Sequence, residues 1–96
     1  MIRVKHHNDG VTIEGHAGYA ETGHDIVCAG VSALVQTLIQ SVEDLTGDAI
    51  EYTMQPGFVE VRFLTFSDES RVLLDSALIG LQMIAEAHPH HVQIEK

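Results

Sequence analysis

Apolar and polar residues alternate from the first strand-like segment, IRVKHH, with Ile2 and Val4 on one side and Arg3 and Lys5 on the other. Asn8-Asp9-Gly10 is a turn signal, because these residues tolerate positive φ. In VTIEGH, Val11 and Ile13 then alternate with Thr12 and Glu14. The two segments predict a hairpin that delivers His16 at the end of its second strand. At Asp25 the period changes. Val27, Val31, Leu34, Leu38, Val42 and Leu45 recur at spacings of three and four, which is one apolar stripe of a helix. Asp25 is its expected N-cap, Cys28 its third residue and Gly47 its stop. Glu43 and Asp44 lie against the dipole at its negative end.

AIEYTM and FVEVRFLTF read as two further strands, joined by Gln55-Pro56-Gly57 in the order a type II turn requires. Ser67 is the expected cap of a second helix, with Asp68 and Glu69 in the first turn, where the dipole favours acids. Its expected buried side is Val72, Leu74, Ala77, Leu78, Leu81, Ile84 and Ala85. Pro89 ends it, and Val92 and Ile94 face one way in a short last strand. The order ββαββαβ predicts an α+β fold, a mostly antiparallel sheet with two helices packed on one face. We expect one domain spanning residues 1–96. The second sheet face or an edge is a candidate for cover by another subunit, since Phe58, Phe63, Leu64 and Phe66 cluster there, although core packing explains them equally well.

Composition narrows the class. The chain has 96 residues, 45% of them hydrophobic, enough for a single modest core. No run approaches the roughly 18 uninterrupted apolar residues of a membrane span. The N-terminal MIRVKHHNDG lacks the apolar centre of a signal peptide, and one cysteine cannot form an internal disulfide. A cytoplasmic protein without membrane association is the expectation. Fourteen acidic and five basic residues give a formal charge of −9. That balance opposes direct nucleic-acid binding and favours encounter with basic partners.

The only cysteine sits in GHAGYAETGHDIVCAG. A lone Cys beside Val27 and Ala29 is most often an inert buried hydrophobe. Three features argue otherwise. In a first helical turn, the positive end of the dipole favours the thiolate. Gly15, Gly18 and Gly23 crowd one loop, and Gly30 lies inside the helix, as though a backbone or substrate approaches closely. His16, at a strand end facing the helix start, can take a thiol proton and return it to a leaving amine. First-turn amides without intrahelical partners are candidate oxyanion donors. Asp25 suits a cap better than an orienter of His16, and Ser32, one turn on from Cys28, faces the same site. A phosphatase loop needs arginine where Leu34 stands, and a thioredoxin-like motif needs a second cysteine.

GHAGYAETGHDIVCAGVSALVQTL resembles the signature of the ribosomal-processing cysteine proteases of Firmicutes and related bacteria. That signature is a GHA tripeptide, a glycine-containing loop and a D-I-V-C-A-x-V-S helix start, here with the same His-to-Cys separation. The resemblance implies a cysteine endopeptidase that removes an N-terminal extension from a large-subunit ribosomal protein. It places the catalytic pair on Cys28 and His16, with Asp25 and Ser32 in support. Gly15, Gly18 and Gly23 fall in a loop that closes over the peptide. It also implies a homodimer with no cofactor. Many members carry a basic residue in place of His24 and Ala in place of Gly30. His24 competes with His16 for the role of base, but as a cation it would oppose the dipole at the helix entrance.

Two other readings use the same sequence. A non-catalytic acidic module would bind ribosomal or other basic proteins without needing a reactive thiol. A zinc site would use His88, His90 and His91, joined by His6 and His7 if their strands pair. Adjacent His side chains on a strand point to opposite faces, which weighs against it.

Overall fold

The computed structural model describes residues 1–21 and 24–95. The elements are β1 (Ile2–His7), β2 (Gly10–Glu14), α1 (Ile26–Leu45), β3 (Ile50–Gln55), β4 (Phe58–Phe63), α2 (Asp68–Ala87) and β5 (Val92–Glu95). Their order and type are those expected. The strands form one sheet in the order β3-β4-β2-β1-β5, antiparallel except for the parallel pair β1–β5.

Register puts the apolar residues on one face. Val4 lies opposite Ile13, Val11 opposite Val61, and Ile2 opposite Val92. All six are buried in a cluster that both helices complete, α1 with Val27, Val31, Val35, Leu38, Ile39 and Val42, α2 with Leu74, Ala77, Leu81 and Ala85. The opposite face is polar. It carries the exposed ion pairs Lys5–Glu14 at 3.5 Å and Arg62–Glu51 at 2.7 Å, which contribute little to stability. Thr12 departs from the simple alternation. It belongs to that polar face yet is buried, its hydroxyl hydrogen-bonded to His7 Nε2 at 2.8 Å.

Three details of the helices differ from the sequence reading. Leu45 is 70% exposed, because it is the last residue of α1 and lies beyond the core residue Val42; Val35 and Ile39 are buried instead. Val72 is 67% exposed. At about 100° per residue it points nearly opposite to Leu74, so the two cannot share a buried face. Thr46, not Gly47, closes α1, its backbone N–H and hydroxyl both donating to the Val42 carbonyl. By length and composition α1 alone among the described helices is apolar enough to cross a membrane, but much of what makes it so is core of this domain.

Phe63 and Phe66 stack at 4.5 Å between ring centroids, and the Arg71 guanidinium lies 4.6 Å from the Phe66 centroid. Core packing therefore accounts for both, while Leu64 stays exposed. The helices meet through reciprocal contacts. A Cβ on Gly30 of α1 would lie 3.2 Å from Ile84 Cδ1, and one on Gly80 of α2 would lie 2.8 Å from Leu34 Cδ2. Gly30 thus faces α2, so helix packing rather than substrate approach explains it.

A polar knot ties the start of β3 to the start of α2. Asp48 accepts hydrogen bonds from the Ser67 hydroxyl and backbone N–H and from the buried Ser70 hydroxyl. Those bonds, the Ser67 hydroxyl foremost, lower its carboxyl pKa from 3.8 to about 2.

Two outcomes follow from this packing. Gly30→Ala should raise stability by about 0.5–1 kcal/mol in urea unfolding, because helix propensity improves and the Ile84 methyl can yield. A loss would show that α2 cannot give way. For Asp48, the unfolded carboxyl binds its proton near pH 4 and the folded one only near pH 2, so its contribution is present above that window and lost as pH falls through it. Urea midpoints at about pH 6 and about pH 2.5 should therefore differ less in Asp48→Asn than in the wild type.

Candidate active site

The site is built where the end of β2, the turn between β3 and β4, and the start of α1 converge. Gly15 follows β2 with φ +96°, and its N–H donates to the Gly57 carbonyl at 2.8 Å. That bond, together with the β2–β4 pairing of Glu14 with Phe58, brings the Pro56-Gly57 turn beneath His16. A Cβ on Gly57 would lie 2.8 Å from His16 Nε2, and φ there is +76°. Only glycine gives the imidazole this seat. Gly57 was legible in the sequence as a turn residue, but its contact with His16 was not, because that contact depends on strand register.

Asp25 caps α1 as expected. Its Oδ1 accepts from Val27 N–H at 3.0 Å and Cys28 N–H at 2.9 Å, and its Oδ2 accepts from Tyr19 N–H at 3.1 Å. The Cys28 amide is the largest cause that lowers the Asp25 pKa below its ordinary 3.8. Two of the expected oxyanion donors are therefore already engaged, and Ala29 N–H makes the first intrahelical bond, to the Asp25 carbonyl at 3.0 Å. The sequence reading left the first-turn amides free because it counted only their intrahelical partners.

Cys28 is a free, half-buried thiol. Its Sγ accepts from the Ala17 N–H at 3.4 Å, and Ala17 is itself only 3% exposed. The Ala17 carbonyl is 2.9 Å from His91 Nδ1. A carbonyl only accepts, so the Nδ1 of His91 carries a proton here. Tyr19 packs edge-on against both His88 and His91, with 5.3 Å between centroids in each case. The loop after β2 thus rests on the corner between α2 and β5, a contact that nothing in the sequence pattern signalled.

Cys28, His16 and Ser32 line two adjoining cavities. One, of about 370 Å³, runs between α1 and the β3–β4 hairpin and is mostly apolar, with Ile13, Val31, Val35, Met54 and Val59. The other, of about 400 Å³, lies under the loop with Gly18, Ala20, Asp25 and Ala29. A chain laid across Cys28 can occupy both. Gly18 has φ +68°. Gly23 lies outside the described residues. His24 is exposed, its N–H bonded to the Glu21 carbonyl at 2.9 Å, and it lines neither cavity.

The histidines read as a possible zinc site are separated by the sheet. β1 and β5 do pair, but in parallel, with Ile2 opposite Val92. His88 and His91 therefore stand at the start of β1, while His6 and His7 stand at its end. Among the described residues, no group of three or more His, Cys, Asp or Glu is placed to hold a metal.

Comparison with known proteins gives one family. The family model described as cysteine protease Prp matches residues 1–93. The ribosomal processing cysteine protease Prp of Staphylococcus aureus is 34% identical over 87 residues, which cover 88% of this chain and 82% of that one. The Prp of Mycoplasma genitalium is 28% identical over 98 residues, covering 100% and 96%. A crystal structure of the Staphylococcus aureus protease with a covalently linked product peptide superposes with a TM-score of 0.89 at 27% identity, covering 98% of this chain and 95% of that one.

The dual use of the Asp25 carboxylate can be checked by amide exchange. Asp25→Ala should speed exchange at Val27, Cys28 and Tyr19 together, by roughly fivefold. Asp25→Asn keeps an acceptor for the helix but offers only an NH2 to Tyr19, so only Tyr19 should quicken. Equal loss at all three in the Asn variant would refute the split assignment.

Proposed function

The chain belongs to the cysteine protease Prp family, and from that premise we propose that it removes the N-terminal extension of a large-subunit ribosomal protein, with Cys28 as nucleophile and His16 as general acid and base. Family membership makes it a cysteine protease, so the reading as a non-catalytic binding module loses its ground. The single observation that carries the assignment is that His16 and Cys28 together line the same two cavities.

The steps use groups in place. The Cys28 thiolate attacks the scissile carbonyl, and the carbonyl π pair moves to oxygen. Collapse expels the amine, which takes a proton from His16, and leaves a thioester on Cys28. His16 then removes a proton from water, whose oxygen attacks the thioester and frees the thiolate. A covalently linked product peptide in the Staphylococcus aureus relative is in keeping with a thiol that forms such a bond. Asp25 supports the site by fixing the first turn of α1 and the loop together. Ser32, exposed beside Cys28, offers a hydroxyl to the bound chain. No cofactor enters this chemistry.

The formal charge of −9 would draw a basic ribosomal protein toward the site. The remaining parts of the reading come from the family: a homodimer of single-domain chains, in the cytoplasm, with Gly15, Gly18 and Gly23 in the loop that closes over the peptide. His16 is preferred to His24 because it lines both cavities and His24 lines neither.

The test is incubation with an N-terminally extended large-subunit ribosomal protein, read by mass. Wild type should trim it and Cys28→Ala should not. His16→Gln should lose about 10²–10⁴-fold in rate, while His24→Gln stays near wild type. Cleavage by Cys28→Ala, or loss in His24→Gln with activity kept in His16→Gln, overturns the dyad.

A further inference from the structure

A thiol protease must stabilise the oxyanion that forms when sulfur bonds to the carbonyl carbon, and donors aimed at that oxygen are usually the largest single contribution. The Val27, Cys28 and Ala29 amides of α1 cannot supply them without giving up a partner. Val27 and Cys28 N–H both donate to Asp25 Oδ1, and Ala29 N–H donates to the Asp25 carbonyl. The amide directed at the thiol itself is that of Ala17. It points at Cys28 Sγ from 3.4 Å, and sulfur is a weak acceptor that it can readily exchange for a better one.

We propose that the Ala17 N–H is an oxyanion donor and that His91 is the positioning residue that holds it there. This rests on the Cys28/His16 reading. When Sγ bonds to the carbonyl carbon, the π pair moves to the oxygen, which then lies two bonds from Sγ. An amide already directed at Sγ is within reach of that oxygen and transfers its hydrogen bond as the charge develops. Collapse of the intermediate returns the pair to the C=O bond as the C–N bond breaks and the amine takes the His16 proton. The amide then relaxes toward sulfur.

Ala17 needs support to act in this way, because it lies in the loop between β2 and α1. That support is polar and comes from across the chain. His91 Nδ1–H donates to the Ala17 carbonyl at 2.9 Å, 74 residues away in sequence. The backbone of His91 is itself fixed on both sides, its N–H donating to the His88 carbonyl at 2.9 Å and its own carbonyl accepting from Ile2 N–H at 2.9 Å. A group anchored at the root of the sheet thus sets the position of a loop amide, and a rigid origin is what precise placement requires. The Tyr19 ring, edge-on against His88 and His91, closes the side of this contact.

Two substitutions separate the donor from the packing. His91→Phe keeps an aromatic ring beside Tyr19 and removes the N–H; His91→Asn shortens the side chain and keeps an N–H at the position of Nδ1. The experiment is steady-state cleavage of an extended ribosomal protein by wild type and both variants, alongside their melting temperatures. We expect His91→Phe to lose about tenfold to hundredfold in kcat with KM within about twofold, and His91→Asn to recover most of that loss. The inference is overturned if His91→Phe keeps the wild-type kcat, if its loss lies in KM alone, or if both variants lose kcat equally. An inactive wild type, or an active Cys28→Ala, overturns the dyad itself and this inference with it. A kcat loss in His91→Phe that His91→Asn recovers, with wild type active and Cys28→Ala inactive, supports both.

Discussion

One carboxylate joins the parts of this site. Asp25 ends the loop and begins the helix, and its two oxygens take different partners: Oδ1 the amides of Val27 and Cys28, Oδ2 the amide of Tyr19. The first pair fixes the turn that carries the thiol. The second fixes the loop that crosses above it. Because a helix start has amides to satisfy and a carboxylate has several lone pairs, the residue that caps α1 can hold the loop as well. The same carboxylate thus occupies the Val27 and Cys28 amides, while the Ala17 amide faces the sulfur.

Much of the fold was legible because its signals are local. Asn8-Asp9-Gly10, Pro56-Gly57, the Asp25 and Ser67 caps and the Pro89 stop act within a few residues of themselves, and each stands where the sequence puts it. Misreadings arose where geometry beyond the neighbourhood decides. Leu45 keeps the angle of the buried stripe but is the last residue of α1, past the core, and Val72, two residues from Leu74, points away from the buried face. Thr12 alternates as a surface residue, and its burial depends on His7 folding back to it. The parallel pairing of β1 with β5 joins the two ends of the chain, and no local signal sets its direction.

The site divides along the same line. His16, Asp25 and Cys28 lie close in sequence, so their chemistry and spacing were readable, and the glycines between them marked a loop. Gly57 and His91 were not readable as parts of the site. Gly57 reaches His16 through the register of β2 on β4, and His91 reaches Ala17 through the β1–β5 pair that sets the start of β5 beside the start of β1. Histidine clustering around Pro89 suggested metal. In the structure, His91 spends its Nδ1–H on a loop carbonyl and presents its ring, like that of His88, to Tyr19.

The two sides of the thiol are held by different forces, and this bears on how the site works. Behind Cys28, α1 is set by Val27 and Val31 in the core and by the close contacts of Gly30 with Ile84 and Leu34 with Gly80. Displacing the thiol would open that packing. In front of it, residues 15–21 bury Ala17 and are held mainly by polar contacts, to Met1, Gly57, Asp25, Cys28 and His91, and by the Tyr19 ring against His88 and His91. Segments with few buried apolar contacts open at lower free energy than the core around them. On the proposed reading, a peptide would enter at less cost by parting the loop from the helix than by moving the thiol, and directional hydrogen bonds would return the Ala17 amide to the sulfur afterwards.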